Sequence, residues 1–117
     1  MKVSIITVVR NNVATIKDAI NSVIGQTYKN IEYIVVDGAS TDGTVSVVES
    51  YTNKIDKFIT EKDHGVYDAM NKGITLATGD IIGILNSDDM YFDKNVIERI
   101  VNTFREKKTD SVFGDLH

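Results

Sequence analysis

The chain has 117 residues, 42% of them apolar, no Cys, and a formal net charge of −4. That length and apolar fraction support one domain with its own core, and the missing cysteines exclude disulfides, a thiolate metal site and a cysteine nucleophile. The scattered Lys and Arg form no nucleic-acid footprint, and no apolar run approaches the roughly 20 residues needed to span a membrane.

The first apolar run, KVSIITVV at 2–9, is β-branched and nearly continuous. That is the pattern of a strand covered on both faces of a parallel sheet, and the polar RNN that follows is wrong for a signal peptide. Arg10 is the cation nearest a strand end. Its planar guanidinium suits a phosphate or a base face, and equally an ion pair with a nearby Asp. Val13, Ile16, Ile20, Val23 and Ile24 then share one helical face, which Gly25 ends.

The second run, IEYIVV at 31–36, closes on Asp37 and the loop DGASTDGT. Asp42 or Thr44 can cap the next helix, where Val45, Val48 and Tyr51 lie on a shared side. Asp37 directly follows its strand and so belongs at the end of a parallel sheet where ligands bind. A carboxylate there can accept hydrogen bonds from ribose hydroxyls or base N–H groups.

The third run, KFIT at 57–60, leads into EKDHG and a helix with Tyr67, Met70, Ile74 and Ala77 in one stripe, ending near Gly79. Asp68 falls in the first helical turn, where the helix dipole favours a carboxylate with or without a ligand. His64 reads either as a phosphate contact or as a solvated turn residue. Asn71 and Lys72 read either as ligand-facing or as an exposed helix face.

The fourth run, DIIGIL at 80–85, ends in NSDD. Asp88 and Asp89 place like charges side by side, which a divalent cation between them and a phosphate would relieve. Hard oxygen ligands suit Mg2+ or Mn2+. The plainer reading is a solvated turn that caps the helix starting near Lys94. Val96, Ile97, Ile100, Val101 and Phe104 form the clearest stripe, and SVFGDL at 111–116 reads as a fifth strand.

This alternation predicts an α/β fold. Its sheet is mainly parallel, has helices on both faces and right-handed crossovers, and stops after the fifth strand. The polar segments after the strands are then the candidate ligand site. G-x-G-x-x-G, the P-loop, G-x-S-x-G and metal-site His spacing are all missing from the sequence.

KVSIITVVRNN, YIVVDGASTDGT, EKDHGVYDAMNKGI and ATGDIIGILNSDDMY together resemble, in order and spacing, the nucleotide-binding half of family-2 glycosyltransferases of the GT-A fold. The resemblance covers nearly the whole chain. It implies a metal-dependent, inverting transfer of sugar from a nucleotide-diphosphate sugar, commonly a UDP-sugar, to a glycan, lipid-linked or other hydroxyl acceptor. It implies that Val8 to Arg10 lie against base and ribose, although members often carry an aromatic residue where Arg10 stands. By the same match Asp37 reads the base, and Asp68 lies in the segment approaching the pyrophosphate and sugar. Ser87, Asp88 and Asp89 stand at the D-x-D-like motif. Ser87 replaces its first acid, Asp88 meets the ribose, and Asp89 ligates Mg2+ or Mn2+.

The family's general base lies beyond residue 117, so residues 1–117 are expected to be a single donor-binding domain at the N-terminus of a longer enzyme. The usual setting is polysaccharide or cell-envelope glycan synthesis in the cytoplasm, or at the cytoplasmic face of the membrane through regions outside this chain. An open sheet edge leaves room for homo-oligomers. The alternatives are a non-catalytic nucleotide-binding module and a metal-dependent nucleotidyltransferase, which usually brings a Gly-rich basic loop after strand one. Receiver domains and Asp-nucleophile phosphatases need acids after strand one, where this chain has VVRNN.

Overall fold

The apolar runs form five strands in one wholly parallel sheet of order β3-β2-β1-β4-β5 in a computed structural model, which describes residues 1–107 and 113–115. In chain order the elements are β1 (Val3–Val9), α1 (Ile16–Ile24), β2 (Ile31–Asp37), α2 (Thr44–Glu49), a 3-10 turn (Thr52–Lys54), β3 (Lys57–Thr60), α3 (Val66–Leu76), β4 (Ile81–Ile84), α4 (Val96–Lys107) and β5 (Phe113–Asp115). The flanks of the expected fifth strand, 111–112 and 116, lie outside the described residues.

The strands read as unbroken apolar runs because both faces are covered. Val3, Ile5 and Val9 of β1, with Tyr33 and Val35 of β2, pack against α1, α2 and α4. Ile6, Val8, Ile34 and Val36 point the other way, onto α3. Alternate residues serve opposite faces, as the pleat requires. Each fully buried Ile or Val contributes about 1.5–3 kcal/mol, so this two-sided burial dominates the stability of the sheet.

The helices follow their stripes with three corrections. Val13 lies before α1 and is 40% exposed, so Ile16, Ala19, Ile20 and Val23 carry that contact. In α2 the buried residues are Thr44 and Val48, and Val47 rather than Val45 joins the core beside Tyr51. Tyr67 does not belong to the buried stripe of α3; it is 79% exposed. Ala69 and Gly73 face the sheet instead, because the helix lies too close for larger side chains. A Cβ built on Gly73 would sit 2.4 Å from a methyl of Ile6. The α4 stripe forms as expected, with Ile97, Val101 and Phe104 buried.

Candidate functional site

The chain runs from β1 out to β3 on one side, then crosses to β4 and β5 on the other. Strand order therefore reverses between β1 and β4, and the loops leaving their carboxyl ends diverge to open a crevice. A cleft of about 490 Å³ lies there, lined by Val8, Val9, Arg10 and Asn12 after β1, Asn86, Ser87 and Asp88 after β4, and Asp63, Gly65, Val66 and Ala69 at the start of α3. That size is within the range of small-molecule sites.

Four of the sequence-predicted site residues line this cleft: Val8, Arg10, Ser87 and Asp88. Arg10 is exposed, and none of the ion pairs among the described residues involves it. Asp88 is exposed, whereas Asp89 is half-buried with its N–H donated to the Asn86 carbonyl at 3.0 Å.

Asp37 and Asp68 are not among the residues that line the cleft. Asp37 is fully buried and accepts from the Ser40 N–H (2.9 Å), the Ser40 hydroxyl (2.5 Å) and the Thr60 hydroxyl (2.8 Å). Asp68 turns back on its own loop. Its carboxylate accepts the His64 N–H at 3.0 Å and lies 3.6 Å from the Lys72 ammonium. The His64 amide foremost, with Lys72 behind it, outweighs partial desolvation and holds the Asp68 pKa below its ordinary value. Lys72 also pairs with Glu61 at 3.0 Å and donates to the Lys62 carbonyl, so it fastens the 61–64 turn rather than facing the cleft.

Asp63, Asn12 and Asn86 reach the cleft without having been singled out as site residues. Asp63 looks like a turn residue in the sequence. Its carboxylate lies against Gly38, where a Cβ would be 2.6 Å from an Asp63 oxygen. The adjacency of Gly38 and Asp63 joins the loops after β2 and β3, which no local pattern reveals.

The loops are stitched to one another by side chains. Asn11 donates its N–H to Ser40 Oγ (2.7 Å) and accepts the Thr41 N–H (2.7 Å). The Asn12 N–H goes to Thr44 Oγ1 and the Val13 N–H to Asp42 Oδ2, both at 3.1 Å. Among the described residues, Asn11 and Ala39 are the non-glycine residues with positive φ, at 49° and 59°, and both stand in these loops. Strained backbone of this kind persists where surrounding contacts over-determine it.

Among the described residues, no group of three His, Asp or Glu side chains forms a metal cage by itself. Asp88 and Asp89 nevertheless offer the right donors for Mg2+ or Mn2+. Such ions are usually held by one or two carboxylates, with substrate phosphates and water completing the shell.

Over residues 4–117 the chain matches the model of glycosyl transferase family 2. It is 32% identical to a PGL/p-HBAD biosynthesis glycosyltransferase of Mycobacterium bovis, across 97% of this chain and 46% of that protein. It is 30% identical to glycosyltransferase GlyG of Streptococcus pneumoniae, across 98% and 39%. Residues 1–349 of S. aureus TarS match its structure with a TM-score of 0.85 and 29% identity, over 94% of this chain and 34% of that one. The same TarS segment has been solved with UDP-GlcNAc. The mannosyltransferase PcManGT from Pyrobaculum calidifontis, solved with GDP-Man and Mn2+, matches with a TM-score of 0.81 and 26% identity over 88% and 32%. The chain thus spans less than half the length of these relatives. Its strand order, the cleft at its switch point and the match over nearly its full length agree: the chain belongs to glycosyl transferase family 2 and has the GT-A fold.

Proposed function

We propose that this chain binds a nucleotide-diphosphate sugar, with a UDP-sugar as first choice, and supplies the donor half of an inverting, metal-dependent glycosyl transfer. The observation that carries this reading is the cleft between β1 and β4, with an apolar floor and convergent polar side chains. In this reading the base lies against the carboxyl end of β1, where Val8 and Val9 line the cleft. Arg10 offers a guanidinium for phosphate or for the base face. Asp63, which lines the cleft, is an acceptor for the base or the ribose hydroxyls in this reading, Asp37 supports that side from its buried position after β2, and Asp68 fixes the turn that carries Asp63.

The charge balance supports a cation. Asp63, Asp88 and Asp89 at or beside the cleft would repel a diphosphate, and Arg10 alone does not offset them. In this reading Asp89 ligates Mg2+ or Mn2+, with Asp88 beside it meeting the ribose and Ser87 supporting the pair. When bound, the ion acts as a Lewis acid toward the leaving nucleoside diphosphate. The acceptor hydroxyl attacks the anomeric carbon as the bond to the diphosphate oxygen breaks, and a general base takes the hydroxyl proton. The proposal assigns neither that base nor the glycan or lipid-linked acceptor site to a residue of this chain. No helix among the described residues is long and apolar enough to cross a membrane. Cytoplasmic glycan synthesis, with membrane association or homo-oligomers through other regions, completes the proposal.

Calorimetric titration with UDP, GDP and dTDP, each with and without Mn2+, tests it. UDP is expected to bind at least about tenfold more tightly with Mn2+, and Asp89→Ala to abolish that difference. Equal binding with and without the ion would contradict the proposed role of the acidic pair. Donor hydrolysis or transfer by the longer protein separates the enzyme from a non-catalytic binding module, and release of inorganic diphosphate would indicate a nucleotidyltransferase.

A further inference from the structure

Ser87 stands where a strict acidic motif would carry a carboxylate, and its side chain is committed elsewhere. It is 7% exposed, and its hydroxyl accepts the Asn12 amide N–H at 2.9 Å. Its carbonyl accepts the Thr15 hydroxyl at 2.8 Å. Thr15 is the N-cap residue of α1, where a Thr oxygen ordinarily accepts a helix N–H. It makes no such side-chain bond here, and its hydroxyl is spent on Ser87 instead. Asn12 is itself anchored, through its N–H on Thr44 Oγ1 and through Thr44 on the Asp42 carboxylate.

The far end of the same loop is tied separately. Gln26 donates to the Asp93 carbonyl and the Thr27 N–H to the Lys94 carbonyl, both at 2.7 Å. Asp88 and Asp89 therefore hang between two anchors, outside any strand or helix. A metal site needs its ligands held to within about 0.5 Å, and a loop provides that only if its own backbone is fixed.

From these contacts we infer that Asn12 and Thr15 are positioning residues that grip Ser87 and thereby set the Asp88 and Asp89 carboxylates for a divalent cation. The inference rests on the nucleotide-sugar reading above. It assigns Ser87 the part of a clamp point rather than a metal ligand. It also makes the β1–α1 loop a determinant of metal affinity, although that loop contributes no carboxylate of its own.

The test measures free Mn2+ by electron paramagnetic resonance at saturating UDP, and UDP affinity by calorimetry in chelator, on wild type, Asn12→Ala, Thr15→Val and Ser87→Ala. Each variant is expected to lose about tenfold or more in Mn2+ affinity, the usual cost of removing a partner that orients a ligand. Metal-free UDP affinity should stay within about twofold for Thr15→Val, whose residue does not line the cleft, and the Asn12→Ala/Ser87→Ala double variant should be no weaker in Mn2+ affinity than the worse single, as groups sharing one bond are not additive. Variants that melt like wild type and keep its Mn2+ affinity would overturn the clamp, as would equal losses of Mn2+ affinity and metal-free UDP affinity in Thr15→Val. Wild type that fails to retain Mn2+ with UDP would instead overturn the nucleotide-sugar reading itself. Thr15→Val decides the matter if Asn12→Ala does not fold.

Discussion

Glu32 interrupts the apolar run of β2, and its side chain is 7% exposed at the end of the sheet opposite the cleft. Its carboxylate accepts from Ser4 Oγ (2.8 Å), the Thr78 N–H (2.9 Å) and Thr78 Oγ1 (3.0 Å), and pairs with Lys57 at 3.1 Å and Lys2 at 3.5 Å. Burial pushes its pKa up, but the Thr78 amide, Ser4, Lys57 and the Thr78 hydroxyl outweigh that and hold it at about 2 instead of 4.5. A depressed carboxyl pKa stabilises the fold fully above the unfolded value and loses that contribution as pH falls from there toward the folded value. Urea midpoints are therefore expected to fall as pH drops from 5 toward 2. Glu32→Gln should remove part of that slope and cost about 2 kcal/mol at neutral pH, after allowing for solvent screening of the half-exposed lysines. A flat wild-type profile over that range would refute the assignment. None of this network was legible in the sequence, because Glu32 finds its partners in β1, β3 and the α3–β4 turn. The same holds in the cleft. Arg10 and Asp88 could be placed from their strand ends, but Asn12 and Asp63 acquire their positions only when separate loops meet.

Elements were more legible than single contacts. A strand buried on both faces must be apolar throughout, so each run announced itself; helices with a 3.6-residue stripe did the same. Helix α3 shows where periodicity misleads. Met70, Ile74 and Ala77 of the expected stripe do pack against the sheet, but Tyr67 is exposed and the helix comes closest to β1 at Ala69 and Gly73. Size rather than hydrophobicity decides that contact. Gly73→Ala tests it. Alanine gains about 1 kcal/mol of helix propensity over glycine, but overpacking against buried Ile6 costs about 1–3 kcal/mol. With the Cβ only 2.4 Å from an Ile6 methyl, the clash is expected to win. Thermal unfolding should show a net loss of up to about 2 kcal/mol, and a stabilised variant would mean that α3 stands further from the sheet. Tyr67→Ala, at an exposed position, should change stability by no more than about 0.5 kcal/mol.

At the scale of the whole molecule, the alternation of strand-like and helix-like segments already implied a parallel sheet with its ligand loops at one end. The order β3-β2-β1-β4-β5 was not readable, since nothing local says on which side of β1 the fourth strand pairs. That choice matters most for function. It opens the crevice between β1 and β4, and it brings Arg10 and Asn12 opposite Ser87 and Asp88. The central claim is that a nucleoside diphosphate and a divalent ion occupy this crevice together. Paramagnetic broadening of backbone amide NMR signals by sub-stoichiometric Mn2+, recorded with and without UDP, tests it most directly. Broadening should depend on UDP and centre on residues 86–89, reaching 8–12 and 63–66. Broadening that ignores UDP, or that centres on the opposite end of the sheet near Tyr28, Lys54 and Asp56, would contradict it.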